Sequence, residues 1–424
     1  MISLSWEAVE DLVLGRLEGR PDDGVVRRIH DDSRDARPGD LFVALNTGVR
    51  FVDDARARGA ATLVPADQEA ALATLAAHIR SRSDAHVVAV VGSTGKTTTK
   101  DALGALCAAV TPTIAAEASR NNELGLPLTV LRLEPDTRVL VTEMGMRGPG
   151  QIAALCAVAR PTVVLVTSIG PEHLELVGTI EDVARANAEA IEALPPGGVA
   201  VVPADERLLE PFLRHDLDVR PFDRGQVERS GGAWRFEIGG RALELALPFD
   251  QRHLAENVLA ALIAYDALGL PLDLAQEGAR AIALSPWRGE VRALAGGGFV
   301  VNDAYNANPT SMRAALVDLA ERAGERRRVA ILGEMAELGD ASATYHGEIR
   351  SLLDELGIEV VVAVGEGARA YLCARAEGLA VADGNAFAEI APVLRPGDAI
   401  LVKASRAVGL EGIPALIEKH SRAW

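Results

Sequence analysis

The sequence predicts an α/β protein of three domains: a small mixed α/β domain over residues 1–84, a central parallel-sheet domain over 85–287, and a C-terminal Rossmann-like α/β domain over 288–424. Three observations support this prediction. A chain of 424 residues exceeds what a single hydrophobic core usually organises. Apolar strand-like runs alternate with amphipathic helix-like runs, which is typical of parallel sheets covered by helices. The character of this pattern changes near residues 84 and 287.

Each predicted domain has its own strand pattern. The first has short, mixed strands, such as DLFVAL (40–45) and ATLVPA (61–66). The second has buried strands followed by glycine and a helix-like run, beginning with HVVAVVGSTGK (86–96), and its residues 219–250 predict an antiparallel insertion. A new α/β series begins with RVAILG (328–333). No segment of 20–50 residues repeats, which excludes a solenoid.

Composition and charge exclude several classes of protein. Apolar residues make up 49% and charged residues 24% of the chain, which favours a folded globular protein over a disordered or fibrous one. The formal net charge of -17 argues against non-specific binding to nucleic acid or to an anionic membrane. Cys107, Cys156 and Cys373 lie in apolar helix-like runs without close pairing, so no disulfide framework or zinc knuckle is expected. Because neither a signal peptide nor a membrane span is visible, we expect a cytoplasmic protein.

The most specific local motif is the glycine-rich turn GSTGKTT, which follows the strand VVAVV and precedes a helix-compatible run. This strand–loop–helix context predicts a P-loop. Glycines let successive backbone N–H groups point at phosphate oxygens, and a helix N-terminus favours negative charge. Lys96 would neutralise the terminal phosphates, and Thr97 would ligate magnesium. The residues predicted to bind a nucleotide's phosphates are Gly92, Ser93, Thr94, Gly95, Lys96, Thr97 and Thr98.

Two residues near strand ends are candidates for holding the metal ion that a triphosphate requires. Glu143 ends the strand-like run VLVTE, and parallel sheets bind ligands at the carboxyl ends of their strands. His173, in SIGPEHLELVG, also follows a strand. Glu143 could instead be a solvated loop acid, and an isolated histidine is often structural, so both alternatives stay open at this point.

Lysine is scarce in this chain. Only four of the 43 basic residues are lysines: Lys96, Lys100, Lys403 and Lys419. Because the other cations are all arginines, each lysine is a candidate for a specific role. Lys403 follows an apolar run, and the alternative for it is a surface charge at a strand end.

Taken in order along nearly the whole chain, the motifs resemble those of the Mur ligases, which are ATP-dependent amide-bond-forming enzymes of peptidoglycan precursor synthesis. The segment DSR (32–34), followed by PGDLFVAL, is similar to the UDP-sugar-binding domain of that family. This implies that Ser33 and Arg34 contact the nucleotide sugar. The segment NNELGLP is similar to a substrate-contacting loop, which implies contacts from Asn121 and Asn122.

Other motifs resemble the ATP and magnesium site of the family, which implies that the central domain is a P-loop ATPase domain. EMG (143–145) resembles the strand end that binds the first magnesium, and PEHLE (171–175) resembles the motif of the second-metal histidine. HLAENVLAA, SPWRGEV and DAYNANPTSM resemble the adenine helix, the hinge and the nucleotide loop of the third domain. The implied ATP-binding residues beyond the glycine-rich turn are Asn257, Arg288, Asp303 and Asn306, although Arg288 could instead be a surface arginine of the linker and Asp303 a turn former. The implied metal ligands are Thr97, Glu143 and His173, and the implied catalytic residues are Lys96, His173 and Arg288.

Three stretches favour the dipeptide-adding members of the family: DAYNANPTSM, LGEMAELG (332–339) and VKASR (402–406). The DNPR-type motif of the member that adds the third peptide residue is absent. The resemblance therefore implies that UDP-N-acetylmuramoyl-tripeptide, D-alanyl-D-alanine and ATP are the substrates, and that Mg²⁺ is the cofactor. It implies a monomer that binds neither nucleic acid nor membrane. His346, Lys403 and Ser405 become candidate substrate contacts, although His346 could instead be a surface residue at a helix start.

The chain departs from the family pattern in two places. The family's lysine fourteen residues after the motif histidine, usually carbamylated to orient the second magnesium, is Asn187 here. Arginine cannot take over that chemistry, and no lysine lies between positions 100 and 403, so no carbamate is expected. We expect Asn187 to offer the second metal a neutral or water-mediated contact. The loop LNTGVRFVDDA (45–55) is shorter than the corresponding loop of the family. The resemblance therefore does not specify which residues of this loop contact the nucleotide sugar.

Three other interpretations of the sequence stay open. Another Mur-type or folylpolyglutamate-type ligase would use a different acceptor. A P-loop regulatory or transport ATPase would require an ABC-type signature or a membrane-coupling segment, and neither is visible. A catalytically idle binding module is suggested only by Asn187.

Overall fold

The computed structural model describes residues 1–21, 24–372, 376–383 and 387–424. Cys373 lies outside the described residues. Within them, the strands form five sheets: two in the N-terminal part, two in the central part and one in the C-terminal part. The predicted α/β fold is confirmed, whereas the domain boundaries near 84 and 287 stay a prediction.

The N-terminal part has short elements around a mixed sheet. They are β1 (Leu4–Ser5), α1 (Trp6–Asp11), β2 (Gly15–Glu18), β3 (Val25–Val26), β4 (Ile29–His30), β5 (Leu41–Val43), α2 (Val52–Ala57), β6 (Ala61–Pro65) and α3 (Gln68–Arg80). β5 pairs in parallel with β4 and β6, whereas β2 runs antiparallel to β6. Helix α3 begins after Asp67 because that carboxylate accepts a hydrogen bond from the Ala70 N–H at 3.0 Å.

The central part is a parallel sheet with an antiparallel insertion. Its elements are β7 (His86–Val91), α4 (Lys96–Ala108), β8 (Thr113–Ala115), α5 (Gly125–Val130), β9 (Val139–Glu143), α6 (Gln151–Ala159), β10 (Val163–Val166), α7 (Leu174–Val177), α8 (Ile180–Glu192), β11 (Val199–Pro203), β12 (Asp218–Phe222), β13 (Val227–Ser230), β14 (Ala233–Ile238), β15 (Arg241–Leu245), α9 (Arg252–Ala267) and α10 (Ala275–Arg280). The six-stranded order is β12-β11-β10-β7-β9-β8. Later strands therefore lie on both sides of β7, so the strand order reverses there. Ligands of open parallel sheets bind at such a reversal point.

The insertion is shorter than the sequence predicts. Within residues 219–250, the antiparallel pairs are those of β13, β14 and β15, so the insertion covers Val227–Leu245. The first residues of the predicted segment form β12, which pairs in parallel with β11 and extends the central sheet. The reason is edge pairing, because without β12 the backbone groups of β11 would be unpaired on one side.

The C-terminal part is a second parallel sheet, whose order β16-β17-β21-β18-β19-β20 includes one antiparallel edge strand, β16. Its elements are β16 (Glu290–Ala293), β17 (Phe299–Asn302), α11 (Pro309–Ala323), β18 (Arg328–Gly333), α12 (Ser342–Glu355), β19 (Val360–Val364), β20 (Glu377–Val381), α13 (Phe387–Ile390), β21 (Ala399–Lys403) and α14 (Ile413–Ser421). Because β17, β21 and β18 are adjacent, the loops after their carboxyl ends meet at one edge of the sheet. None of the helices in the described ranges is both long enough and apolar enough to cross a lipid bilayer.

Helix α10 packs so closely on α4 that Gly278 has no space for a side chain. A Cβ there would lie 2.5 Å from the Leu106 Cα and 2.8 Å from the Ala105 carbonyl oxygen. We expect Gly278→Ala to lower the free energy of unfolding by about 1–3 kcal/mol, the usual cost of overpacking, with a lower Tm in calorimetry. Gly347→Ala, on α12 with nothing within 4 Å, is the matched control and should be neutral or slightly stabilising. Equal Tm values for the two variants would contradict this packing.

Candidate functional site

The glycine-rich turn connects β7 to α4 and is closely surrounded by its neighbours. Gly92 and Gly95 have φ values of +119° and +88°, which glycine adopts without strain. A Cβ on Gly92 would lie 2.4 Å from the Thr167 Oγ1, and one on Gly95 would lie 2.5 Å from the Asn257 Oδ1. The turn therefore requires glycine at both positions, for conformation and for space.

The backbone donors of the turn divide into two groups. The N–H groups of Gly92, Ser93 and Thr94 already donate to protein acceptors, at 2.8–3.0 Å. Helix α4 begins at Lys96 and has no side-chain cap. Since the first N–H groups of a helix lack intrahelical partners, the first turn of α4 is the part of this loop that is open to an anion.

Lys96 lies over the turn. Its Nζ donates to the Gly92 carbonyl oxygen and lies 3.4 Å from the Glu172 Oε2. Glu172 is buried, and this desolvation raises the pKa of its carboxyl group, although Lys96 and His173 act in the opposite direction. The Lys96 side chain is 15% exposed and lines the cavity beside the turn.

Most of the predicted site residues line one cavity of about 480 Å³, where the turn faces the loops of the C-terminal sheet. Those that line it are Ser93, Thr94, Gly95, Lys96, Thr97, Thr98, Asn121, Asn122, Glu143, His173, Asn257, Arg288, Asp303, Asn306 and Lys403. The predicted residues outside its lining are Gly92, Ser33, Arg34, His346, Ser405 and Asn187. Sequence motifs from both large sheets therefore meet at one place.

The Glu143 carboxylate is suited to bind a cation. Its side chain is buried, the Oε1 accepts a 2.8 Å hydrogen bond from the Asn121 amide, and the Oε2 is buried with no partner. A buried carboxylate oxygen without a partner is costly, and Mg²⁺ prefers such oxygens together with phosphate oxygens. Across the described ranges, no group of three or more His, Cys, Asp or Glu residues could hold a metal alone. A metal here would therefore share its coordination between protein and nucleotide.

His173 lies between one carboxylate of the central part and one of the C-terminal part. It has a left-handed backbone, with φ 52°, and its Nδ1 is hydrogen bonded to the Glu337 carboxylate from the loop after β18. Its Nε2 lies 4.0 Å from the Glu172 Oε2. Glu337 belongs to the sequence motif LGEMAELG, but nothing in the motif distinguishes this residue, because only the tertiary structure brings the two loops together.

Arg288 is held by an aromatic ring and retains an unpaired donor. Its guanidinium carbon lies 3.9 Å from the centre of the Tyr305 ring, and its buried Nε has no hydrogen-bond partner. The Tyr305 hydroxyl in turn contacts the Ser119 Oγ of the central part. A stacked guanidinium with a free N–H that lines the cavity is suited to bind an anion.

Asp303 and Lys403 support each other at the C-terminal wall of the cavity. The Lys403 ammonium donates to the Asp303 Oδ2 at 2.5 Å and to the Asn306 carbonyl oxygen at 2.9 Å. Lys403 is only 2% exposed, so it is not a surface charge. Its bonds fix the loop after β17 and do not support the predicted contact with a substrate.

Helix α9 forms the remaining wall, with the predicted Asn257 and with His253, which is not among the predicted site residues. Both residues line the cavity, and their four-residue spacing places them on one face of the helix. Burial lowers the pKa of His253 to about 4, so its ring is neutral at pH 7. The helical spacing from Asn257 is the signal that could have found this residue.

Comparison with known proteins agrees with this geometry. Residues 90–265 match the family described as the Mur ligase middle domain, and residues 287–406 match the Mur ligase, glutamate ligase domain. The UDP-N-acetylmuramoyl-tripeptide--D-alanyl-D-alanine ligase of Escherichia coli (strain K12) is 30% identical, covering 99% of each chain. The chain belongs to the Mur ligase family.

Solved structures of Mur ligases are also similar. A crystal structure of MurF from Acinetobacter baumannii has a TM-score of 0.85 at 28% identity, covering 99% of this chain and 100% of that one. The MurF ligase from Thermotoga maritima, in complex with ADP, has a TM-score of 0.81 at 27% identity, covering 94% and 98%. As a Mur ligase, the chain is an ATP-dependent ligase, which removes the alternatives of a non-ligating ATPase and an idle binding module.

The structure places two predicted substrate contacts of this Mur ligase, His346 and Ser405, outside the cavity. His346 is buried, its Nε2 accepts from the Met335 N–H at 3.2 Å, and its ring stacks on Tyr371 with centroids 5.0 Å apart. The Ser405 hydroxyl accepts from the Ala336 N–H at 2.9 Å. Both side chains are used to fix the loop after β18, which explains why neither lines the cavity.

The hydrogen bonds of Asn187 do not support its expected metal contact. Its Oδ1 accepts from the Gly92 N–H at 2.8 Å, and its Nδ2 donates to the Val183 carbonyl oxygen at 2.9 Å. The side chain is 1% exposed. Because both ends of the amide are engaged, Asn187 holds the glycine-rich turn instead of reaching a metal.

The predicted contacts of Ser33 and Arg34 with a nucleotide sugar are not supported by their positions. Ser33 is buried, and Arg34 is exposed and hydrogen bonded to the Asp32 carboxylate. A second cavity, of about 470 Å³, lies between the N-terminal and central parts. It is lined by the neighbouring Asp32 and Asp35, but not by Ser33 or Arg34.

The bond between Asn187 and Gly92 generates a test. We expect Asn187→Ala to leave the buried Gly92 N–H unpaired, which lowers the free energy of unfolding by about 1–3 kcal/mol and weakens ATP binding. Calorimetry and titration with an ATP analogue measure the two effects. Arg185→Ala, whose side chain is 70% exposed on the same helix, is the control and should change neither. Unchanged stability and ATP affinity in Asn187→Ala would disprove this role.

Proposed function

We propose that this Mur ligase joins D-alanyl-D-alanine to the free carboxylate of UDP-N-acetylmuramoyl-tripeptide, using ATP and Mg²⁺, as a cytoplasmic monomer in peptidoglycan precursor synthesis. The observation that carries the proposal is the convergence of Lys96, Arg288 and the unpaired Glu143 Oε2 on one cavity. The substrates follow from the name of the Escherichia coli relative.

Formation of an amide from a carboxylate requires activation, because a carboxylate is a poor electrophile. Transfer of the γ-phosphoryl group of ATP gives an acyl phosphate, which the amine of the dipeptide attacks. The chain contributes mainly positioning and positive charge. Lys96 and Arg288 stabilise charge on the transferred group from opposite sides of the hinge. Mg²⁺ bound by Thr97 and Glu143 would screen the phosphate charges.

The two cavities suit a long substrate. The segment between β8 and α5 separates them, so that Arg120 lines the second cavity and the adjacent Asn121 lines the first. A UDP-sugar in the second cavity would place its peptide along this segment and its terminal carboxylate near Lys96. This arrangement supports a nucleotide-sugar peptide over a small carboxylic acid.

Contacts between the central and C-terminal parts complete the site. The Asn308 amide donates to the Thr94 hydroxyl at 3.0 Å, and Glu337 bonds to His173. Because Arg288 and Asp303 belong to the C-terminal side, separation of the two parts would remove them from Lys96. Catalysis therefore requires the closed arrangement.

The proposed reaction is tested by mass spectrometry of the products. With ATP, Mg²⁺, UDP-N-acetylmuramoyl-tripeptide and D-alanyl-D-alanine, we expect the UDP-muramoyl-pentapeptide together with ADP and phosphate. Lys96→Met should lower kcat by about 10²–10³-fold, because it removes a charge-stabilising group. Lys419→Met, an exposed lysine on α14, is the matched control. Product formation with a different acceptor, or full activity of Lys96→Met, would refute the proposal.

Glu337 is expected to act by orienting His173, since a carboxylate on one ring nitrogen fixes the other as the free ligand atom. Glu337→Gln should weaken the apparent Mg²⁺ affinity by about 10–100-fold, measured by metal titration of turnover and of metal binding. Glu348→Gln, at an exposed position on α12, serves as the control. If the two variants gave the same metal titration, Glu337 would not orient the histidine.

A further inference from the structure

Glu172 is a buried carboxylate in the cavity to which the resemblance assigns no role. It lies between β10 and α7, its side chain is 8% exposed, and it lines the wall beside the glycine-rich turn. Its Oε2 lies 3.4 Å from the Lys96 Nζ and 4.0 Å from the His173 Nε2. The carboxylate therefore faces two functional groups of the proposed reaction.

The Glu172 carboxylate has the Ser93 hydroxyl as a hydrogen-bond partner and forms an ion pair with Lys96, but the ion pair is loose. A charge-assisted hydrogen bond is usually about 2.7–2.9 Å long, so the separation of 3.4 Å is loose. The closer partner of the Lys96 ammonium is the Gly92 carbonyl oxygen. When the ammonium binds the terminal phosphates of ATP, a second cation beside Glu172 would offset the negative charge of its buried carboxylate.

The distance between Glu172 and His173 suits a shared cation. Mg²⁺ binds its ligands at about 2.0–2.1 Å, so two donors on one ion lie at most about 4.2 Å apart. The Glu172 Oε2 and the His173 Nε2 are 4.0 Å apart. Glu337 occupies the other ring nitrogen, which leaves the Nε2 free to bind a metal.

We propose that Glu172 and His173 together bind the second Mg²⁺ of this ligase, with Glu172 supplying the carboxylate. The inference rests on the proposed function. It also agrees with the position of Asn187. The side-chain amide of Asn187 is hydrogen bonded to Gly92 and Val183, so it has no free group for a metal. The oxygen ligand then comes from the loop after β10 and not from α8, so the enzyme needs no bicarbonate to form its metal site.

The test counts bound metal and does not depend on turnover. Mn²⁺ is titrated by electron paramagnetic resonance in the presence of a non-hydrolysable ATP analogue and UDP-N-acetylmuramoyl-tripeptide. We expect two ions per wild-type molecule and one per Glu172→Gln molecule, with a second-site affinity at least about 100-fold weaker. Glu175→Gln, an exposed acid on α7, is the matched control and should bind two. Glu172→Asp retains a carboxylate and should recover the second ion.

The outcomes separate the two proposals. Two ions in a folded Glu172→Gln, or a second ion in wild type that appears only with bicarbonate, would overturn the role of Glu172 and leave the ligase proposal standing. Failure of wild type to bind Mn²⁺ with the ATP analogue would overturn the proposed function itself. Loss of the second ion in Glu172→Gln, with the first ion and the analogue still bound, supports the inference.

Discussion

The site depends on a glycine-rich turn whose backbone is fixed by other elements. The Asn187 amide of α8 accepts from the Gly92 N–H, and Ser168, after β10, accepts from both the Ser93 and the Thr94 N–H groups. These bonds use the first three donors of the turn. The helix start that follows is therefore presented to the cavity with its own N–H groups free, which makes it the anion site.

The same turn also positions the C-terminal sheet. Thr94 bonds to Asn308, which is the N-cap of α11, and a Cβ on Gly170 would lie 2.7 Å from the Thr310 Oγ1. A nucleotide bound at the turn would thus contact the surface on which the C-terminal part closes. This coupling explains how Arg288, outside the central sheet, comes to line the same cavity as Lys96.

The parts of the site that are formed by residues close together in the chain could be predicted from the sequence. A few consecutive residues are enough to predict the strand–loop–helix unit around Lys96, and the same holds for the strand end at Glu143. Both features line the cavity. Among the predicted contacts that the structure does not support, those of Ser405 and Asn187 concern polar side chains whose partners are distant in the chain. Ser405 bonds to a residue 69 positions away and Asn187 to one 95 positions away. Whether such a side chain faces a cavity or the protein backbone is decided by tertiary packing, which no local pattern records.

Three of the four lysines occupy positions where the structure explains why the residue is a lysine and not an arginine. The ammonium groups of Lys96, Lys100 and Lys403 each donate to a backbone carbonyl oxygen inside the protein, namely those of Gly92, Ala116 and Asn306. The planar fork of arginine cannot direct its donors to a single point in so small a space. Since carbamylation requires a free neutral amine, these engaged ammonium groups are unsuited to it. A carboxylate for a second cation must then come from an acidic side chain, and Glu172 is the carboxylate that lies near the His173 Nε2, whereas Glu337 is bonded to the Nδ1.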